Sequence, residues 1–321
     1  MFTYIIRRIL IAVPLIIGMS LVTFFIINMA SGNYFDTMKM DPQVSAATIA
    51  KYEALYGLDK PVFMQYLYWL KNLLRFDFGY SFFYNAPVRT IIMRRLFNTF
   101  ILSLSSLIFS WLIAIPLGIY SAVHYGSLKD RAVSFVSFIG ISIPSFFLAL
   151  LLLNLASLGN FLPLGGMRSA NFDSLNFMRK TWDIARHLII PTVVISVGGI
   201  AGLQRITRAN LLDVLRQQYI TFARAKGLPE GRVVYHHALR NAVNPLVTIF
   251  GYNFSGLLSG AALIEIICAW PGLGSVMFTA VRSGDNYLVM GSFLMSSALL
   301  LFGNLLADII LAKVDPRIRH A

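Results

Sequence analysis

Residues 219–246 read "YITFARAKGLPEGRVVYHHALRNAVNPL", a polar, helix-patterned stretch set between long apolar runs. It carries Arg224, Lys226, Arg232 and Arg240, the adjacent His236 and His237, and a Pro229-Glu230-Gly231 turn. The residues from Ala209 onward predict a helix, and Gly227 is a natural left-handed stop for it. Pro229 at a first helical position, followed by Glu230, opens a second short helix toward Val243. Tyr219, Ala223 and Gly227 fall at i, i+4 and i+8, a narrow face shaped for close approach and flanked by Arg224 and Lys226. Two readings fit these residues. One is a helix–turn–helix knob that enters a groove on a soluble partner; the other is a basic amphipathic helix lying on anionic lipid.

The rest of the chain sets the context. Of its 321 residues 57% are hydrophobic and only 13% charged, and the mean hydropathy is +0.69. Soluble domains carry about a quarter charged residues, so this is the balance of a membrane protein. The net charge of +13 is spread between apolar runs rather than massed on one domain. That distribution suits membrane-flanking loops and argues against a nucleic-acid partner. The single Cys268 can form neither an intramolecular disulfide nor a cysteine-rich metal site.

Six apolar runs are candidate spans, at about 9–30, 98–122, 132–158, 188–206, 243–267 and 288–312. The pattern predicts an all-α polytopic membrane protein, since a closed barrel would show short alternating strands. The first run is too long for a cleaved signal and reads as a signal-anchor. The fourth is short in apolar residues, Leu188 to Leu203, so its helix is expected to run on into solvent. Pro14, Pro116, Pro144 and Pro191 are kink candidates. Arg7 and Arg8 place the N-terminus in the cytoplasm, and six spans return Lys313, Arg317 and Arg319 to the same side. The 205–242 loop, with seven Lys or Arg against Asp213 and Glu230, is then cytoplasmic as well. Arg94 and Arg95 run against this scheme, although long outer segments translocate largely regardless of charge.

The expected organisation is an N-terminal tail and first helix at 1–30, an external helical segment at 31–97, and a five-helix core at 98–321 containing a cytoplasmic loop at 207–242. In the external segment, one helical stretch is expected from Pro42 to near Gly57. A second carries Phe63, Tyr66, Leu67, Leu70, Leu73 and Leu74 on one face. That stripe reads either as packing against membrane helices or lying at the membrane interface, or as a platform for an external partner.

No catalytic constellation emerges. His124, His187, His236, His237 and His320 do not share a helix face at metal-ligand spacing, and adjacent His236 and His237 suit one buried and one exposed ring. There is no Gly-x-Ser-x-Gly elbow and no Gly-Lys dipeptide, hence no Walker P-loop. Within the spans only Arg205, Glu265 and Asp308 are ionisable, each near an end. Ion-coupled carriers place such groups at mid-depth, so any transport here draws its energy from another subunit. Three local readings are structural. Gly256 with Gly260, and Gly303 with Ala307, allow close helix contacts, within the chain or against a second subunit; Glu265 reads as a salt-bridge or capping residue ahead of a substrate contact; Asp77 is a turn residue. A self-sufficient secondary transporter or channel, and a membrane scaffold without transport, both stay open on these grounds.

"ARAKGLPEGRVVYHHALRNAVNP" resembles the cytoplasmic coupling loop, the EAA loop, of ABC importer permeases of the dipeptide/oligopeptide type. "YIIRRILIAVPLIIGMSLVTFFI", "YGLDKPVFMQYLYWL", "RFDFGYSF", "IPLGIYSA", "EIICAWPGLG" and "VDPRIR" resemble that family in the same order, over essentially the whole chain. The resemblance is to the first permease subunit, and "RFDFG" with "SANFDS" resembles its Yej-type branch. It implies half of a translocation pathway for peptides or peptide-like solutes in the bacterial inner membrane. The implied partners are a second permease, two cytoplasmic ATPases that bind the ATP, and an external solute-binding protein, with lipid around the spans. No cofactor or metal is implied for this chain. The implied ATPase-coupling residues are Tyr219, Phe222, Ala223, Arg224, Ala225, Lys226, Gly227, Pro229 and Glu230; substrate-binding residues are not implied. Two positions depart from the family pattern. Thr221, Phe222 and Ala223 stand where the general motif has Glu-Ala-Ala, and Phe76 stands where a small residue is usual.

Overall fold

The computed structural model of the chain describes residues 2–29, 39, 45, 47, 54, 60–159, 161–243, 245–246, 249–250 and 262–314. The expected Pro42–Gly57 stretch, the Gly256–Gly260 pair and the tail carrying Arg317 and Arg319 lie outside the described residues, as does the side chain of Ala307. The elements in chain order are α1 (Phe2–Met29), α2 (Val62–Leu73), strands β1 (Tyr80–Ser81) and β2 (Ala86–Pro87), and α3 (Val88–Val123). Next come α4 (Leu128–Ser142), α5 (Ser145–Gly159), a 3-10 turn at Phe172–Ser174, α6 (Phe177–Leu215) and α7 (Gln218–Ala225). The chain continues through α8 (Glu230–Arg232), a π-helical segment (Val233–Ala238) and α9 (Leu239–Ala242), then α10 (Ala262–Ile267), α11 (Leu273–Arg282) and α12 (Asn286–Val314).

These residues fall in two compact units, one within 6–99 and 271–301, the other within 1–5, 100–270 and 302–321. In the first, Phe24 of α1 meets Tyr66 of α2 edge to face, and Tyr66 and Ser20 share a 3.0 Å hydrogen bond. Around them Trp69, Phe78, Val88, Ile92, Leu273 and Leu288 form one core. The expected apolar face of α2 is therefore displaced. Tyr66 and Trp69 are buried with Leu70 and Leu73 packed beside them, while Phe63, Leu67 and Leu74 stay exposed. The β1–β2 ribbon is pinned by Asp285, which accepts from Ser81 Oγ at 2.6 Å and Phe83 N at 3.2 Å and also caps α12 through Leu288 N. Asp77 takes its expected turn role, accepting from Gly79 N at 2.9 Å.

In the second unit α3 and α6 lie side by side. Ser196 Oγ donates to the Ser106 carbonyl at 3.0 Å, and Ser105 and Thr192 hydroxyls meet at 3.1 Å. At Gly118 a Cβ would come within 2.6 Å of Thr207 Cβ and 2.9 Å of the Gln204 carbonyl, so only glycine permits this approach. Helix α6, at 39 residues, is about 58 Å long at 1.5 Å per residue, nearly twice a hydrocarbon core. The expected fourth span is thus the middle of a longer helix, and Pro191 does not interrupt it.

The expected 132–158 span is not one helix: α4 and α5 meet at 97° around Ile143 and Pro144. Proline has no N–H to continue the ladder and drives its predecessor extended, as Ile143 is at φ −85°, ψ 120°. Among the described residues four helices are long and apolar enough to cross a membrane, or five with that bent pair. The expected fifth span, 243–267, is described at its end by α10, while 251–261 lie outside the described residues. Glu265 on α10 is fully buried.

Candidate functional site

The 207–242 segment is a folded unit with its own base. Ile220 and Ala223 of α7 turn inward with Val233, Val234, Ala238 and Ala242, onto Leu211 of α6 and Ile119 and Ala122 of α3. The end of α7 follows from its sequence. Leu228 N donates to the Ala223 carbonyl at 3.4 Å, Gly227 N donates to Arg224 at 2.9 Å, and Gly227 sits at φ +76°. This is the paired-bond helix stop that glycine favours, with Leu228 folding back toward the same core. Pro229, expected at the first helical position, is instead the N-cap at φ −62°, ψ 140°, and the helix restarts at Glu230.

A salt bridge closes the turn. Arg224 Nε and Nη2 donate to Glu230 Oε2 and Oε1 at 3.1 and 2.6 Å. Those hydrogen bonds hold the Glu230 carboxyl below the usual carboxylate range. At the far side Asn241 Nδ2 donates to Tyr219 Oη at 2.8 Å, tying α7 to α9.

Of the nine residues singled out in the loop, Tyr219, Phe222, Arg224, Ala225, Lys226, Gly227, Pro229 and Glu230 are exposed, and Ala223 is buried. Tyr219, Ala223 and Gly227 therefore do not form one outward face. The outward surface is led by Phe222, a 65% exposed aromatic, with Lys226 and the Arg224–Glu230 pair beside it. His236 is exposed and His237 half-buried, their rings perpendicular at 5.2 Å. A groove of about 700 Å³ runs between the end of α3 (Pro116, Tyr120, His124) and Glu230, Val234 and Tyr235.

The sequence reading missed what braces this unit. Asp130, 3% exposed, accepts from Arg208 Nε at 2.8 Å and Nη2 at 2.7 Å, from Gly126 N at 3.0 Å, and from Ser121 Oγ. One carboxylate thus joins α3, α4 and the part of α6 that opens the 207–242 segment. The spacing of Ser127 and Asp130 signals a helix cap, which the structure contains, with Ser127 Oγ accepting from Asp130 N. Nothing local signals Arg208, 78 residues away. Among the described residues no group of three or more His, Cys, Asp or Glu could hold a metal ion. The arrangement offers an aromatic and charged contact surface on a fixed base, suited to docking rather than acid–base chemistry.

Comparison with known proteins matches residues 114–320 to the family profile described as binding-protein-dependent transport system inner membrane component. Residues 1–104 match the corresponding N-terminal profile. The chain belongs to this family. It is an ABC importer permease subunit of the inner membrane. It is 41% identical over 321 residues to the oligopeptide transport system permease protein AppB of Bacillus subtilis, covering 100% of both chains. It is 35% identical over 337 residues to the dipeptide transport system permease protein DppB of Escherichia coli K12, covering 100% of this chain and 99% of that one. A solved structure, an inward-facing conformation of the MetNI methionine ABC transporter, matches with a TM-score of 0.55 and 21% identity. It covers 70% of this chain and 96% of that one, a likeness of fold. Permeases of this family work with a further permease, ATPase subunits and a solute-binding protein.

Proposed function

We propose that this permease forms half of the translocation pathway of an importer for peptides or peptide-like solutes, and that 207–242 is where a cytoplasmic ATPase engages it. In this reading the chain crosses the membrane six times with both termini in the cytoplasm. Residues 31–97 face outward, and the assembly holds a second permease, two ATPases and an external binding protein. The solute class rests on the oligopeptide and dipeptide permeases to which the chain is similar over its full length.

The observation that carries the docking assignment is the contrast across α7 and the turn that follows it. Ile220 and Ala223 anchor it, while Phe222, Arg224, Lys226 and Glu230 stand outward on a turn closed by a salt bridge. A knob of this kind transmits force because its base is packed; a freely jointed loop would absorb the movement.

The test is co-purification of the ATPases with Phe222→Ala and Lys226→Glu permeases, together with solute uptake. Both substitutions fall on exposed side chains, so membrane insertion is retained while ATPase association and uptake drop. Normal association and uptake in both variants would remove the docking assignment.

A further inference from the structure

Between α4 and α6, beside the Asp130–Arg208 pair, lies a second cavity of about 160 Å³. The two helices run antiparallel here. Asp130 at the start of α4 grips Arg208 late in α6, and a Cβ on Gly140 would lie 3.0 Å from Val197 Cγ1. The lining is graded along the helix axes. One end is apolar, with Phe138, Ile141 and Ala201; the other is polar, with Ser134, Gln204, Arg205 and Arg208, and Ser137 between them turns its hydroxyl back to the Val133 carbonyl.

The polar end consists of donors in search of an anion. Arg208 spends Nε and Nη2 on Asp130, which cancels its charge. Arg205 is exposed and makes no ion pair among the described residues, so it leaves one net positive charge. Gln204 is 2% exposed, and its Nε2 has no hydrogen-bond partner. A buried amide N–H left unpaired costs free energy until an acceptor reaches it. The apolar run of α6, Leu188 to Leu203, ends just before this cluster, so the cluster sits where the helix leaves the hydrocarbon.

We propose that this groove seats the headgroup end of one anionic phospholipid, its phosphodiester on Arg205, Gln204 and Ser134 and the first methylenes of an acyl chain against Phe138, Ile141 and Ala201. Phosphatidylglycerol carries one net negative charge, which balances the one uncompensated arginine, whereas the trimethylammonium of phosphatidylcholine already cancels its own phosphodiester. The apolar-to-cationic grading matches the two ends of a lipid and suits neither a free ion nor a zwitterionic headgroup as well. The proposal rests on the membrane-embedded reading of α4 and α6 and is independent of the docking assignment for 207–242.

The experiment is native mass spectrometry of the complete detergent-purified transporter, titrated with phosphatidylglycerol, phosphatidylcholine or inorganic phosphate. Wild type should saturate with one phosphatidylglycerol per permease chain at this site and bind phosphatidylcholine at least about fivefold more weakly. That ratio is the scale of one basic residue against an anionic headgroup. Arg205→Glu should lower phosphatidylglycerol retention by at least the same factor. Arg205→Lys should keep most of it, and Arg179→Gln, exposed at the far end of α6, should change nothing. Equal retention by Arg205→Glu, or equal binding of the two lipids, would overturn the proposal. Displacement of the lipid by inorganic phosphate would also overturn it, by making this a free-anion site.

Discussion

Arg224 and Glu230 clasp each other across the turn that joins α7 to α8, through two parallel hydrogen bonds of 3.1 and 2.6 Å. Both side chains are substantially exposed, at 43% and 54%, so solvent screens the pair and its worth to global stability is below about 1 kcal/mol. Its effect is local: it ties the end of α7 to the start of α8, beside Phe222 and Lys226.

Glu230→Gln is therefore expected to leave the thermal midpoint of the purified transporter nearly unchanged. Amide hydrogen exchange should meanwhile accelerate in 224–232. The pH dependence follows from the lowered carboxyl, whose stabilising contribution is complete above the unfolded-chain value. It is lost as the pH falls from the ordinary glutamate range, about 4.3, down through the lowered value. Exchange that is equally slow in variant and wild type at neutral pH would show that the pair does not hold the turn.

The Asp130–Arg208 pair behaves differently because the carboxylate is buried. Arg208→Ala leaves Asp130 with Ser121 and Gly126 as donors but no counter-charge, a loss on the order of 3 kcal/mol. The measurable outcome is a clear fall in the thermal midpoint. Replacing both partners together, Asp130→Asn with Arg208→Gln, should recover part of it, since no buried charge is then left alone.

At Gly118 the constraint is steric. Gly118→Ala puts a methyl group 2.6 Å from Thr207 Cβ, and the Gln204 carbonyl behind it is backbone that cannot rotate away. Helices α3 and α6 must separate, at a cost of about 1–3 kcal/mol in thermal unfolding. Gly198→Ala, on the same helix pair but with nothing within 4 Å of its Cβ, should be neutral.

The topology is checked by thiol labelling. Cys268 is 2% exposed, so the native thiol should contribute little background. Lys60→Cys should react with a membrane-impermeant reagent in cells whose inner membrane is intact. Lys226→Cys should react only after the membrane is opened. Both residues are exposed, so lack of reaction reports sidedness and not burial. Labelling of both from outside would put 207–242 on the wrong face for an ATPase.

The membrane class, the helix stop at Gly227, the restart beside Pro229 and a weak point at Pro144 were all legible in the sequence. Each depends on a run of neighbouring residues or on one residue's own backbone chemistry: uninterrupted apolar length, a left-handed φ, a missing N–H. The family motifs were legible for the same reason, being contiguous strings. What only tertiary structure decided is which side of each helix faces its neighbours. Local spacing marked Tyr219, Ala223 and Gly227 as one face, yet packing against Leu211 and Ile119 took Ala223 inward and left Phe222 outside. The stripe on α2 shifted likewise, because Phe24 meets Tyr66 edge to face and Trp69, not Phe63, joins that core. The pairing of Asp130 with Arg208 has no local trace at all. Two charges 78 residues apart become partners only when α4 and α6 close on one another, and burial then makes their hydrogen bonds obligatory.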